Sequence, residues 1–188
     1  MKRTMWVTAI LIVTLNAVPA AAEPLLWQAL RDGRAAVLIR HALAPGTGDP
    51  AAFDVGDCAT QRNLSEEGRA QARRIGDMFR ANGIDTATIL TSQWCRCRDT
   101  ATEMALGPVQ DASFLNSFFA NRGDGPDQTA ALRAYLIATA LNAPVVMITH
   151  QVNITALTGH FPRSGEIVFI AMPVDENVRI LGTIQTLQ

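Results

Sequence analysis

The chain has 188 residues, 48% of them apolar and 18% charged, and a formal net charge of −1. That length sets a single domain as the expectation and excludes a large multidomain enzyme. The composition excludes a disordered or fibrous chain, and the near-neutral charge gives nucleic-acid binding no electrostatic footing.

Lys2 and Arg3 open the chain. An apolar run from Met5 to Val18 follows, broken only by Thr8, Thr14 and Asn16, and Ala20, Ala21 and Ala22 then place small residues before Glu23. This is the pattern of a secretory signal peptide over residues 1–22, cut after Ala22, with one domain over 23–188. The run is shorter than the roughly 20 apolar residues that cross a bilayer. A periplasmic or secreted domain with no stable membrane insertion after cleavage is therefore expected. Lys2 is the single lysine, so every basic side chain of the domain is an arginine, the better bidentate ligand for phosphate or carboxylate.

Next come a short helix over Leu25–Arg31 and a buried strand at Ala35–Val37–Leu38–Ile39 that ends in the charged pair Arg40–His41. Residues 43–63 are a long irregular stretch rich in glycine and proline, of a size that is often functional. Ser65 is the expected N-cap of a helix carrying Ala72, Ile75, Met78 and Phe79 on one face and closed by Gly83. Thr88–Leu90 reads as a strand ending at Thr91–Ser92, and a helix over Cys95–Met104 follows. Residues 114–122 have no clear pattern, Asp124–Asp127 reads as a turn, and Gln128–Leu141 as a helix. Val145–Ile148 is a strand ending at Thr149–His150. A short helix from near Asn153 to Gly159, a strand at Ile167–Ile170 and a weaker strand within Arg179–Leu187 complete the series. Strands apolar on both faces alternating with helices predict an α/β fold, a three-layer sandwich around a central, mostly parallel sheet.

An exported chain meets an oxidising compartment, so Cys58, Cys95 and Cys97 are expected to give one disulfide and one free thiol. Cys95 and Cys97 stand too close within a helix to pair. Cys58 is then one partner, with Cys95 favoured over Cys97 as the other. A three-cysteine metal site has no CxxC pair behind it.

Three strands end in polar clusters: Arg40–His41, Thr91–Ser92 with Arg96 just beyond, and Thr149–His150. Ligands of parallel sheets bind beyond the carboxyl ends of strands, so these clusters should meet on one rim. Two guanidiniums and two imidazoles suit a phosphoryl group, with one imidazole as nucleophile and no metal or other cofactor. His160 lacks that placement and reads as a structural residue. A zinc site built on the three histidines has no supporting ligand spacing.

The segments Leu38–Ala42, Leu64–Ala72, Thr91–Arg96 with Thr100–Ala101, and Thr149–His150 with Gly165–Glu166 resemble, in order, those of the histidine phosphatase superfamily, the phosphoglycerate-mutase-like phosphatases. The resemblance implies the phosphoglycerate-mutase-like fold. It makes His41 the phosphoryl acceptor and Arg40, Arg96 and His150 its phosphate pocket. It adds Arg62 on the substrate side, where Ser92, Asn153 and Glu166 are further candidates, with Glu166 expected to orient His150 or the rim. The partner it implies is a small phosphorylated substrate.

The resemblance leaves a gap at the proton donor. One branch of the family has an aspartate directly after the second histidine, where this chain has Gln151, and an amide gives up no proton. The other branch takes a glutamate from a loop whose counterpart here carries Asn116. Asp111, Asp124 and Glu166 are the remaining carboxyl candidates. Among the resembling phosphatases, the leader favours those acting on phosphorylated envelope saccharides, and the missing acid favours those acting on phosphohistidine. A phosphate-binding protein on a weakened enzyme scaffold is the competing expectation.

Overall fold

The structure, a computed structural model, describes residues 22–140, 142–175 and 177–186. Apart from Ala22, the expected leader lies outside them. No helix among the described residues is long and apolar enough to cross a membrane.

Helices α1 (Ala22–Arg31), α2 (Glu66–Ala81), α3 (Cys95–Met104), α4 (Gly125–Ala138) and α5 (Gln151–Thr158) alternate with strands β1 (Ala35–Arg40), β2 (Thr88–Thr91), β3 (Val109–Asp111), β4 (Val145–Thr149), β5 (Ile167–Ala171) and β6 (Ile180–Ile184). The sheet runs in the order β3-β2-β4-β1-β5-β6. The β3-β2, β2-β4 and β4-β1 pairs are parallel, whereas β5 runs against both β1 and β6.

The period-2 alternation of the strands divides the interior into two cores. Val37 and Ile39 of β1, Val146 and Ile148 of β4, and Phe169 of β5 face one side, where α1, α2 and α3 cover them with Trp27, Leu30, Ile75, Phe79 and Met104. Leu38, Met147, Val168 and Ile170 face the other side, under Leu132 and Leu136 of α4 and Ile154 and Leu157 of α5. The result is the expected three-layer α/β sandwich. Trp27 pins the first core edge-on to Phe79 at 4.9 Å and to Phe169 at 5.2 Å.

Ser65 caps α2 as expected, its Oγ accepting from Gly68 N at 3.1 Å. Gly68 has a second duty: a Cβ there would lie 2.0 Å from the Leu43 carbonyl oxygen, so only glycine lets α2 approach the chain leaving β1. Buried Gln71 then fixes that chain, accepting from Leu43 N at 2.9 Å and donating to Ser164 O at 2.9 Å.

The structure corrects one local expectation and adds elements in two stretches that had none. The expected turn at Asp124–Asp127 is the start of α4, because Pro126 in the first helical turn has its φ preset for helix and lacks only an N–H that would be unpaired there. Residues 109–111 form an edge strand too short and too polar to show in the pattern. The unpatterned stretch after it contains 3₁₀ turns at Ser113–Leu115 and Arg122–Asp124.

Candidate active site

Parallel register brings the polar ends of β1, β2 and β4 together. Arg40 sits opposite Thr149, and Thr91 opposite Ile148. One residue further on, the sheet pattern continues: His41 N donates to Thr149 O at 2.9 Å, and Ser92 N to Ile148 O at 3.0 Å. His41, Ser92 and His150 therefore emerge side by side. With the loop after β1 and the start of α3, His41 and His150 bound a cavity of about 350 Å³ whose lining includes Arg40, Asp49, Arg62 and Arg96. A larger groove of about 620 Å³ along α4 holds no histidine, and Arg133 is its one charged group, so it offers no comparable chemistry.

The two rings lie 5.6 Å apart, centroid to centroid, and both are buried. Nδ1 of His41 is 2.8 Å from the Ala42 carbonyl oxygen. A carbonyl only accepts, so Nδ1 carries the proton and Nε2 keeps its lone pair. Thr100 Oγ1 steadies this turn by accepting from Ala42 N at 3.0 Å and donating to Arg96 O at 2.7 Å.

His150 has the opposite wiring. Its Nε2 is 2.8 Å from Ser92 Oγ, which donates to Asn116 Oδ1 at 3.3 Å and accepts from Trp94 N at 3.3 Å. Ser92 thus accepts the Nε2 proton, and the Nδ1 lone pair meets Arg96 Nη2 at 3.4 Å. Burial first, and then the charge of Arg96, hold both imidazoles well below the usual histidine range, with Arg40 and Arg62 adding to the effect.

Three guanidiniums converge on the cavity. Arg40 Nη1 donates to Pro162 O at 3.1 Å, and Arg62 Nε to Gly48 O at 2.7 Å, with Arg62 Nη1 on Ala44 O. Arg96 makes a fork with Asp49, Nη1 to Oδ1 at 2.7 Å and Nη2 to Oδ2 at 3.1 Å. The Nε atoms of Arg40 and Arg96 are buried without a partner. Unmet buried donors cost about 1–3 kcal/mol each, a cost that a bound oxyanion relieves.

Asp49 is the residue that sequence reasoning missed. It also accepts from Trp94 Nε1 at 3.1 Å and from Arg62 N at 3.2 Å. Burial pushes its carboxyl up, but the bonds from Arg96, Arg62 and Trp94 outweigh burial and hold it below the ordinary range. The signal available was slight, because Asp49 is one of three aspartates, with Asp54 and Asp57, in the glycine- and proline-rich loop.

Arg40, His41, Arg62, Arg96 and His150 are thus brought together, while the other candidates stand behind or beside the cavity. Ser92 orients His150 instead of lining the cavity. Asn153 is buried and donates to Asn116 O at 2.8 Å. Glu166 reaches neither His150 nor the cavity; its oxygens take His160 Nε2 at 2.7 Å and Arg163 N at 2.8 Å, and so shape the 160–166 turn. Asn116, at the expected glutamate position, is locked by Gln93, its Oδ1 accepting from Gln93 N at 2.9 Å. The disulfide is Cys58–Cys95, and Cys97 is the free, buried thiol, its acidity pushed up to about 12 by burial. Among the described residues no group of three or more His, Cys, Asp or Glu side chains is arranged to hold a metal ion.

The two depressed imidazoles give a pH signature. Unfolded histidines take up protons near pH 6.5, whereas the buried rings do so only at lower pH, so the unfolded state binds more protons in between. Stability is therefore expected to hold above pH 6.5 and to fall as pH drops below it, by up to about 1.4 kcal/mol per pH unit for each ring. Urea midpoints measured between pH 7.5 and 5.5 should show this fall and a shallower one in His150→Gln. A flat profile in the unaltered chain contradicts the assignment of neutral buried rings.

Residues 36–117 match the histidine phosphatase superfamily (branch 1). No curated protein matches the chain significantly. Among solved structures, the protein histidine phosphatase SixA complexed with tungstate is 20% identical, with a TM-score of 0.57 over 81% of this chain and 97% of its own. A mycobacterial glucosyl-3-phosphoglycerate phosphatase in complex with VO₃ is 18% identical, with a TM-score of 0.57 over 78% and 96%. A putative phosphohistidine phosphatase SixA from Agrobacterium tumefaciens is 19% identical, with a TM-score of 0.53 over 81% and 99%. The chain has the phosphoglycerate-mutase-like fold of the histidine phosphatase superfamily, the stretch from β1 to Ser117 matches that family itself, and the buried His/Arg/Ser cluster at the strand ends supports phosphatase activity.

Proposed function

We propose that the protein is an exported phosphomonoester hydrolase working through a phosphohistidine on His41, with no metal required. The observation that carries this reading is the tautomer of His41: Nδ1–H is spent on the Ala42 carbonyl, and the buried ring presents a neutral Nε2 lone pair to a cavity lined by three arginines. Nε2 attacks phosphorus, the N–P bond forms, and the P–O bond to the leaving group breaks with its electron pair on that oxygen. Water then attacks phosphorus, the N–P bond breaks, and the pair returns to Nε2; the attacking water releases a proton to solvent and the departed oxygen takes one up from solvent, giving alcohol and inorganic phosphate overall. Arg40, Arg62 and Arg96 neutralise the equatorial oxygens throughout. The tungstate and VO₃ named for two of the similar structures are oxyanions of the kind this cup would hold.

The leader pattern and the Cys58–Cys95 bridge support a periplasmic or secreted location. An exported enzyme of this kind would meet phosphorylated envelope saccharides. A second reading, hydrolysis of phosphohistidine, is favoured by a specific feature: Gln151 and Asn116 stand where an acid is expected, and a ring nitrogen leaves without one.

Rapid acid-free quenching after mixing with p-nitrophenyl phosphate tests the mechanism. Intact mass should gain one phosphoryl group, and peptide mapping should place it on His41. Product release with no adduct at any time from milliseconds to minutes, or an adduct elsewhere, removes the proposal.

A further inference from the structure

The cavity mouth bears on which leaving groups the site accepts. Among the described residues the exposed large apolar side chains are Leu25, Phe119, Ile137 and Phe161. The two aromatic ones both line the His41 cavity, 39% and 68% exposed. They come from separate segments, Phe119 beyond the Ser113–Leu115 turn and Phe161 in the link from α5 to β5. Val152 lines the same cavity. The Arg122 guanidinium lies 4.8 Å over the Phe119 ring and braces it. An exposed aromatic pair at the mouth of a cationic cup is a surface awaiting a flat apolar ligand.

Asp49 is the one carboxylate lining the cavity among the described residues, and both of its oxygens are committed to Arg96, Trp94 and Arg62. The other carboxyls are engaged elsewhere: Asp111 with Arg98 at 2.9 Å, Asp124 with Asn121 at 2.9 Å, and Glu166 with His160. His150 spends its Nε2 proton on Ser92. Thr47, Ser117 and Gln151 complete the polar side-chain lining and transfer no proton readily. The cavity therefore offers a departing group no acid.

We propose that the site selects phosphoryl donors whose departing group is an aromatic ring that leaves unprotonated, aryl phosphates above all, seated between Phe119 and Phe161, and discriminates against saccharide and other alkyl phosphates. This rests on the phosphohistidine mechanism above. In the first step the P–O pair departs as an aryloxide and takes its proton from solvent outside the cup. The second step is of the same kind, because the His41 ring leaves phosphorus as an uncharged imidazole.

The test measures kcat/KM of the full chain for phenyl phosphates graded from nitrophenyl to unsubstituted phenyl, and for glucose phosphates. Rates should fall steeply as the phenol becomes more basic, and glucose phosphates should react about 10³-fold more slowly, the scale of help that a positioned acid supplies. Phe161→Ala and Phe119→Ala should each raise KM for the aryl substrates about fivefold, a ring contact's worth, while inhibition by tungstate stays as it was. Glucose phosphates turned over as fast as phenyl phosphate, or KM unmoved in both phenylalanine variants, overturns the inference while a His41 adduct leaves the mechanism standing. Absence of any adduct and any turnover overturns both.

Discussion

His41→Ala is expected to lower kcat on p-nitrophenyl phosphate by about 10⁴ or more, the scale seen when a covalent nucleophile is removed. The loss should be this large because no neighbour can deputise. His150 is the nearest imidazole, but its Nε2 is tied to Ser92 and its Nδ1 lone pair faces Arg96 instead of open cavity. Cys97 is buried and its thiol is pushed up to about 12, so it supplies no thiolate at neutral pH. Asp49 is spent on Arg96. The variant should still fold, since the lost ring makes one hydrogen bond, to Ala42 O. Arg40, Arg62 and Arg96 remain, so tungstate should still bind, and calorimetry on the variant separates loss of chemistry from loss of the cup. Residual kcat within tenfold of the unaltered chain, with tungstate binding intact, removes His41 from the nucleophile's role.

The parts of this site legible in the sequence are those set by strand ends. An apolar run such as Ala35–Ile39 or Val145–Ile148 can be buried on both faces only in a covered parallel sheet, and its terminal polar pair must then emerge at the carboxyl edge. That logic locates Arg40, His41 and His150 with Arg96 nearby, whereas Arg62 is placed at the cationic cup only by the family resemblance. Side-chain direction was not legible. Ser92, Asn153 and Glu166 sit in the right segments, yet each turns to a protein partner: His150, the Asn116 carbonyl and His160. Asp49 was hidden for a different reason. Its role exists only because the long loop folds back over α3, a tertiary event with no periodicity to announce it. β5 shows the same limit, because an apolar run fixes burial and not whether the strand runs with or against its neighbour.

Cys58→Ser is expected to destabilise the chain by about 4 kcal/mol, the loop-closure value for a bridge spanning this many residues. For a domain of this size that corresponds to a fall in Tm of roughly 8–16 °C. The bridge joins residues 37 apart and fastens the loop after β1 to the first residue of α3. The cost should reach the active site because of what each side carries. The loop holds Asp49 and Arg62, and the next residue of α3 after Cys95 is Arg96, whose fork closes on Asp49. Gln61 reinforces the same junction, its Oε1 accepting from Cys95 N at 2.9 Å. Freed from the bridge, the loop samples positions in which Arg96 and Arg62 no longer share a focus, so KM for p-nitrophenyl phosphate should rise about tenfold while kcat, set by the His41 ring in its Ala42 bond, changes less. Reduction of the unaltered protein should reproduce the shift and reoxidation should reverse it. Unchanged Tm and unchanged KM in Cys58→Ser would show that the loop holds its place through Gln61 and Asp49 alone.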